Sequence, residues 1–233
     1  MCSINHDLKA IFIHIPKTGG SYISNVLSKH YGFKNYYLKR PDHNQFCRIV
    51  DASVDKHENK LFGTYLYYKT SPQLCAIMNM NQFKWNSYKI FTFIRDPIKR
   101  LISGYKYCRE NNQYKNVNFE LFYNNSTKLN CWTYWHCFMP QIRHIVNENN
   151  ENVCFFIGRQ ENLEKDLNEL LVGFGLKSIH IHYFKNKTKH DDFINQFNED
   201  VKYHSKFLYK LFDEDYKRLI LNEELLKKNL NLK

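Results

Sequence analysis

A chain of 233 residues, 43% hydrophobic and 16% aromatic, is long enough for one substantial core and excludes a disordered polypeptide. Its 34 basic and 23 acidic residues give a formal charge of +11, which favours polyanionic partners. No run of about 18 apolar residues exists to span a bilayer, and Met1 to Lys9 lacks a signal-peptide core, so a soluble, intracellular (cytoplasmic) protein is expected. In chain order, the pattern predicts a strand near 10–15, a helix from about 19 to 30, a strand near 61–67 and a helix near 72–80. A strand over 89–94 and a helix from Pro97 follow. Segment 113–150 is polar and aromatic, with Trp132, Tyr134, Trp135 and His136 clustered, and reads either as a wall for an acceptor or as ordinary packing of a helical excursion. A strand at 153–157 leads through Gly158 into a helix at 161–172, where Leu163, Leu167, Leu170 and Leu171 recur at core spacing. The stretch 199–230 reads as an amphipathic helix carrying Phe207, Leu208, Leu211, Phe212, Tyr216, Leu219 and Ile220. Alternation without a linker or a repeat predicts a single α/β domain over 1–233, with a parallel β-sheet flanked by helices and ligand sites at the carboxyl ends of the strands.

Seven cysteines without a C-x-x-C read as reduced thiols. Cys131 and Cys137 beside His136 sketch a metal site but lack a second close pair, so no metal is expected. The sequons at Asn124, Asn125 and Asn186 need a secretory route that the chain does not announce. No basic block, finger spacing or RNA-recognition signature supports dedicated nucleic-acid binding.

Two segments carry the chemistry. Residues 10–22, AIFIHIPKTGGSY, run a strand into a lysine, two glycines and a hydroxyl that open a helix, the layout of a phosphate cradle. Lys17 precedes the glycines, whereas a nucleoside triphosphate P-loop reads G-x-x-x-x-G-K-[ST], so a nucleotide kinase or other NTPase is disfavoured. Residues 89–105, KIFTFIRDPIKRLISGY, repeat the strand-to-helix break, with Asp96 suited to the N-cap and Pro97 to the first helical position. One site with Lys17 and a second with Arg95, Arg100 and Ser103 suit a ligand phosphorylated at two places, such as a 3′,5′-bisphosphorylated adenosine.

With both segments in view, the chain resembles sulfotransferases that use 3′-phosphoadenosine 5′-phosphosulfate (PAPS). Ile15 to Ser21 is similar to their 5′-phosphosulfate loop, and Arg95-Asp96-Pro97 through Arg100 and Ser103 to Tyr105 to their 3′-phosphate motif. Further likeness lies in Phe138-Met139-Pro140-Gln141, in Phe156 to Leu163 and in Asn186 to His190, and is greatest to the carbohydrate branch of the heparan and uronyl 2-O type. The resemblance implies a P-loop-like sulfotransferase fold and transfer of a sulfuryl group from PAPS to a hydroxyl of an acceptor, most naturally a glycan and an anionic one. The product would be 3′-phosphoadenosine 5′-phosphate. It further implies that Lys17 reaches the bridging oxygen, and that Thr18, Gly19, Gly20, Ser21 and Tyr22 bind the 5′ end through amides, with hydroxyls from Thr18 and Ser21. Arg95 and Ser103 would hold the 3′-phosphate, and Lys187, Thr188 and Lys189 would cover the nucleotide.

The general base departs from the pattern. Where the 2-O type places a histidine after a glycine, this chain has Phe62-Gly63-Thr64, and a threonine is a poor base at neutral pH. Candidates are His57, Glu58 and Asp55 nearby and His136 from the aromatic cluster, while His14 reads as a packed strand residue. A protein that binds the nucleotide without turnover is the alternative that Thr64 keeps open.

Overall fold

A computed structural model describes residues 2–36, 54–55, 60–61, 87–110, 117–126, 133–147, 149–180 and 192–220. Its main sheet has five strands in the order β3-β1-β2-β6-β7, formed by β1 (Cys2–Asn5), β2 (Ala10–Ile13), β3 (Lys34–Tyr36), β6 (Lys89–Ile94) and β7 (Phe156–Arg159). β2, β6 and β7 are parallel neighbours, with Ile13 opposite Thr92 and Ile94 opposite Arg159. Their carboxyl ends therefore share one edge of the sheet, as the α/β reading requires. The sheet is mixed, however, because β1 pairs antiparallel with both β2 and β3.

The two added strands are fixed by polar side chains as well as by apolar ones. Ser3 Oγ donates to Asn35 Oδ1 (2.6 Å) and shares a hydrogen bond with Ser24 Oγ (3.0 Å). Asn5 accepts from the Leu8 amide at 2.8 Å, closing the turn between β1 and β2, and donates to Tyr31 O at 2.8 Å. A separate two-stranded ribbon joins β4 (Val54–Asp55) to β5 (Lys60–Leu61). The expected strand near 61–67 and helix near 72–80 otherwise lie outside the described residues.

Alternation along the strands sorts the core. Phe12, Phe91, Phe93 and Phe156 pack on one face against α1 (Gly20–His30), through Ile23, Val26 and Leu27, and against α4 (Leu163–Gly173), through its four buried leucines. Ile11, Ile13, Ile90, Ile94 and Ile157 pack on the other face against Ile142, Ile145, Val146 and Leu219. A third cluster joins α2 (Pro97–Glu110), α3 (Phe119–Ser126), the π-helical turn Tyr134–Phe138, α5 (Asp192–Tyr203) and α6 (Ser205–Leu211) through Tyr105, Phe122, Phe138, Phe197, Leu208 and Phe212. Cys137 and Phe138 belong to this core, so that part of the aromatic segment is packing.

Two boundaries differ from the sequence reading. The last strand falls at 156–159 and contains Gly158, since a Cβ there would stand 2.4 Å from the Phe93 ring on the neighbouring strand. The expected continuous helix over 199–230 begins earlier, breaks at His204 and again at Phe212, and continues into a π-helical turn at Tyr216–Ile220; residues 221–230 lie outside the described residues. Phe207, expected on its apolar face, is 41% exposed. The described cysteines Cys2, Cys108, Cys137 and Cys154 are buried thiols outside any disulfide.

Candidate active site

The loop Ile15–Gly19 leaves β2 at the carboxyl edge and turns through two left-handed residues, Lys17 (φ 69°) and Gly19 (φ 83°). Glycine takes that conformation freely, whereas for Lys17 it costs on the order of 1 kcal/mol and is the kind of strain that functional sites retain. Thr18 is fully buried and its hydroxyl donates to Ile15 O (2.9 Å), which closes the turn. Its hydroxyl is thus engaged by the loop itself, leaving its amide for the expected phosphate contact.

Gly19 is the N-cap of α1, with no side chain capping it and no acidic residue in the first turn. The Tyr22 amide, expected to face a phosphate, donates to Gly19 O at 3.0 Å. The amides of Gly20 and Ser21 lie ahead of the first intrahelical acceptor, where helix geometry provides no partner and the dipole favours an anion. Ser21 is exposed. Gly20 is required for a reason beyond the turn: a Cβ there would lie 2.1 Å from His14 Cδ2, because the imidazole packs flat on the start of α1. His14 also stacks on Phe12 (6.2 Å, 12°), and its burial lowers its pKa to about 3. It is a packed, neutral ring.

The second segment is built differently at its helix end. Asp96 Oδ1 accepts from the Lys99 amide (2.9 Å), so the N-terminus of α2 is capped by its own chain, as the sequence implied. An anion here would be held by side chains. Arg95, one residue beyond β6, directs NH1 to Lys17 O at 3.4 Å, which brings the two segments together. Arg100 does not join them as a ligand-binding group and the sequence grouping is corrected. It is fully buried and donates to Pro16 O (Nε, 3.0 Å), Met139 O (NH1, 2.8 Å), and Trp135 O and His136 O (NH2, 3.4 and 3.2 Å). Such a cation ties the loop to the π-helical turn. Ser103 and Tyr107 follow it at i+3 and i+7, on the helix stripe that faces the loop. Lys17 Nζ lies 4.2 Å from the centroid of the Tyr107 ring.

Burial is the main cause that lowers the Lys17 pKa, and the Arg95 charge adds to it. Among the described residues no carboxylate pairs with Lys17. Its charge is favoured by the Tyr107 face. The same ring lies parallel to that of His136, with centroids 6.2 Å apart and an interplanar angle of 12°. His136 thus comes near the loop, whereas His57, Glu58, Thr64 and Lys187 to Lys189 lie outside the described residues. Of Asp55 the structure gives only its strand position in β4. No group of three or more His, Cys, Asp or Glu able to hold a metal occurs among the described residues.

Gln141 lies in the Phe138–Gln141 stretch that carries a family resemblance, and no local sequence signal marks what its side chain holds. Its Oε1 accepts from Arg95 N (2.9 Å) and its Nε2 donates to Arg95 O (2.7 Å). Glu161 Oε1 accepts from the next amide, that of Asp96, at 3.0 Å. A polar cleft of about 600 Å³ lies alongside, lined by Lys99, Glu161, Asn162 and Lys165 among others.

A strand-to-helix loop with an uncapped helix start, a lysine that pairs with no carboxylate among the described residues, and an arginine from the adjacent strand end all meet at the carboxyl edge of an α/β sheet. The model of the sulfotransferase family matches residues 2–220, and the chain belongs to that family. No curated protein and no solved structure matches it. Membership supports sulfuryl transfer as the general activity. No helix among the described residues is long and apolar enough to cross a membrane.

Proposed function

We propose that the chain, read as one domain over 1–233, transfers a sulfuryl group from PAPS to a hydroxyl of a carbohydrate acceptor. The observation that carries this reading is Lys17: a half-buried ammonium in a left-handed turn, with no carboxylate against it among the described residues, set before an uncapped helix start. Such a charge is most stable with an anion beside it. The carbohydrate class follows from the resemblance to the 2-O branch, and the net charge of +11 suits an anionic glycan.

PAPS would supply the SO3 group on a phosphate oxygen. The chain's part is alignment and charge stabilisation. The Gly20 and Ser21 amides would bind the 5′-phosphate, and Lys17 would neutralise charge developing on its bridging oxygen. Arg95 and Ser103 would hold the 3′-phosphate, with Lys187, Thr188 and Lys189 contributing from their own segment. His136 is the base candidate that this reading favours, because it shares the Tyr107 ring with Lys17. It would accept the acceptor hydroxyl's proton on an imidazole nitrogen.

The test is calorimetric binding of adenosine 3′,5′-bisphosphate against ATP, together with transfer of labelled sulfate from PAPS to a panel of glycans by wild type, Lys17→Ala and His136→Ala. Tight bisphosphate binding, weak ATP binding and transfer lost in Lys17→Ala are expected, with about 100-fold slower transfer in His136→Ala. Equal affinity for the two nucleotides, or unchanged transfer without Lys17, would refute the reading; unchanged transfer in His136→Ala would refute its role as base.

A further inference from the structure

Arg95 follows the last residue of β6, where the sheet no longer fixes its backbone, yet both of its peptide groups are held. The Gln141 side chain forms the two hydrogen bonds, at 2.9 and 2.7 Å, that a neighbouring strand would otherwise supply. Gln141 is itself held from a third part of the chain. Asp215, fully buried, accepts from Gln141 N through Oδ2 (2.8 Å) and from Ile142 N through Oδ1 (2.9 Å). The second hydrogen of Gln141 Nε2 goes to Asp215 Oδ2 at 3.3 Å. The amide can take only one orientation here: turned over, its oxygen would face the carbonyl of Arg95 and the carboxylate of Asp215, and its NH2 would face the amide of Arg95. Tyr216, the next residue, donates to Asp96 Oδ2 (3.3 Å), so two consecutive residues near the end of the described chain reach the turn that carries Arg95.

We propose that Gln141 and Asp215 are positioning residues that set the direction of the Arg95 guanidinium, and thereby the preference of the site for a nucleotide bearing a 3′-phosphate. The proposal rests on the reading of Arg95 as the 3′-phosphate contact. A guanidinium recognises a phosphate by the direction of its N–H bonds, so a small rotation of its peptide plane displaces the charged end and weakens that contact selectively. The 5′ end is bound by a different element, the start of α1, which neither Gln141 nor Asp215 is seen to touch. Loss of this strap, the Gln141 and Asp215 hydrogen bonds that hold the Arg95 backbone, should therefore separate the two ends of the ligand, which a general loss of stability would not do.

The experiment measures affinity by calorimetry for adenosine 3′,5′-bisphosphate and for adenosine 5′-phosphosulfate, which lacks the 3′-phosphate, in wild type, Arg95→Ala, Gln141→Leu and Asp215→Asn, with a thermal melt of each. Gln141→Leu should weaken bisphosphate binding about 10-fold and leave the phosphosulfate within about 2-fold, the direction of change that Arg95→Ala shows more strongly. Asp215→Asn keeps the shape but sets an NH2 where a carboxylate oxygen accepts from the backbone amide of Gln141 or Ile142, and should give a shift of the same kind. It serves where Gln141→Leu does not fold. If Arg95→Ala leaves the ratio of the two affinities unchanged, the reading of Arg95 fails and the strap falls with it. If Arg95→Ala collapses the ratio while the folded strap variants keep it, or weaken both ligands equally, the strap alone is refuted.

Discussion

Replacement of Gly20 by alanine tests whether the start of α1 is shaped by His14. The added Cβ would stand 2.1 Å from His14 Cδ2 and 2.6 Å from Nε2, where carbon contacts are ordinarily no closer than about 3.4 Å, so the ring or the helix start must move by over an ångström. The ring is wedged beside the buried Phe12 and has little room, so the displacement is an overpacking that costs roughly 1–3 kcal/mol. Against this stands a helix-propensity gain of at most about 1 kcal/mol for alanine over glycine. The net expectation is a loss of about 1–2 kcal/mol, or roughly 2–8 °C in Tm for a chain of this length. Thermal melts of Gly20→Ala, His14→Ala and the double variant form a cycle. The double variant should be more stable than the sum of the singles by about 1–3 kcal/mol, since removal of the ring leaves room for the new methyl. Strict additivity, or a Gly20→Ala protein as stable as wild type, would refute the account of why this position is glycine.

Arg100→Met should destabilise the fold by about 3 kcal/mol or more, because it leaves carbonyls of Pro16, Met139, Trp135 and His136 without their donor; a urea midpoint unchanged from wild type would overturn the role of Arg100 as a tie. Stability should also fall with acidification. His14, whose pKa burial lowers to about 3, and His144, held well below the usual range by burial and by the charge of Arg100, are both neutral when folded and protonate first when unfolded. Their stabilisation is complete above the ordinary value of 6.5 and is lost as pH falls from there toward the folded values. At pH 5 the loss from His14 alone is roughly 2 kcal/mol, so His14→Gln should flatten the pH dependence of the urea midpoint between pH 7 and 5 by that amount; an identical slope in the variant would show that His14 is not a buried neutral ring.

The parts of the site legible in the sequence are those encoded by contiguous residues. Gly19 stands where a left-handed N-cap is needed, and Asp96-Pro97 is a helix start whose cap bond is present at 2.9 Å. The leucines of α4 declare their buried face by spacing, and all four are at most 4% exposed. What was not legible depends on partners distant in the chain. β1 and β3 are short and owe their place partly to Ser3, Asn5 and Asn35, polar residues that no hydrophobic periodicity marks. Arg100 has the same local spacing as a phosphate ligand, and only the carbonyls arriving from 16 and from 135–139 show that its donors are engaged. Gly20 reads in the sequence as one of the two glycines of the phosphate cradle, whereas its closest constraint comes from the ring of His14, six residues earlier and just past the end of β2.

These distant partners converge on one short stretch. Residues 135–142 supply the carbonyls that Arg100 uses to hold the Lys17 loop, the side chain that fixes the backbone of Arg95, and the ring of His136 beside Tyr107. Lys17, Arg95 and His136 come from three separate segments, and local sequence cannot set their spacing. A frame that contacts the surroundings of all three can. The frame is rigid for identifiable reasons: its apolar side is buried through Cys137, Phe138 and Ile142, and its polar side is bonded by Arg100 and Asp215, each fully buried. In the proposed reaction alignment is the larger part of catalysis, so substitutions in this stretch that leave the fold intact should still alter turnover, although most of its residues would touch neither nucleotide nor acceptor.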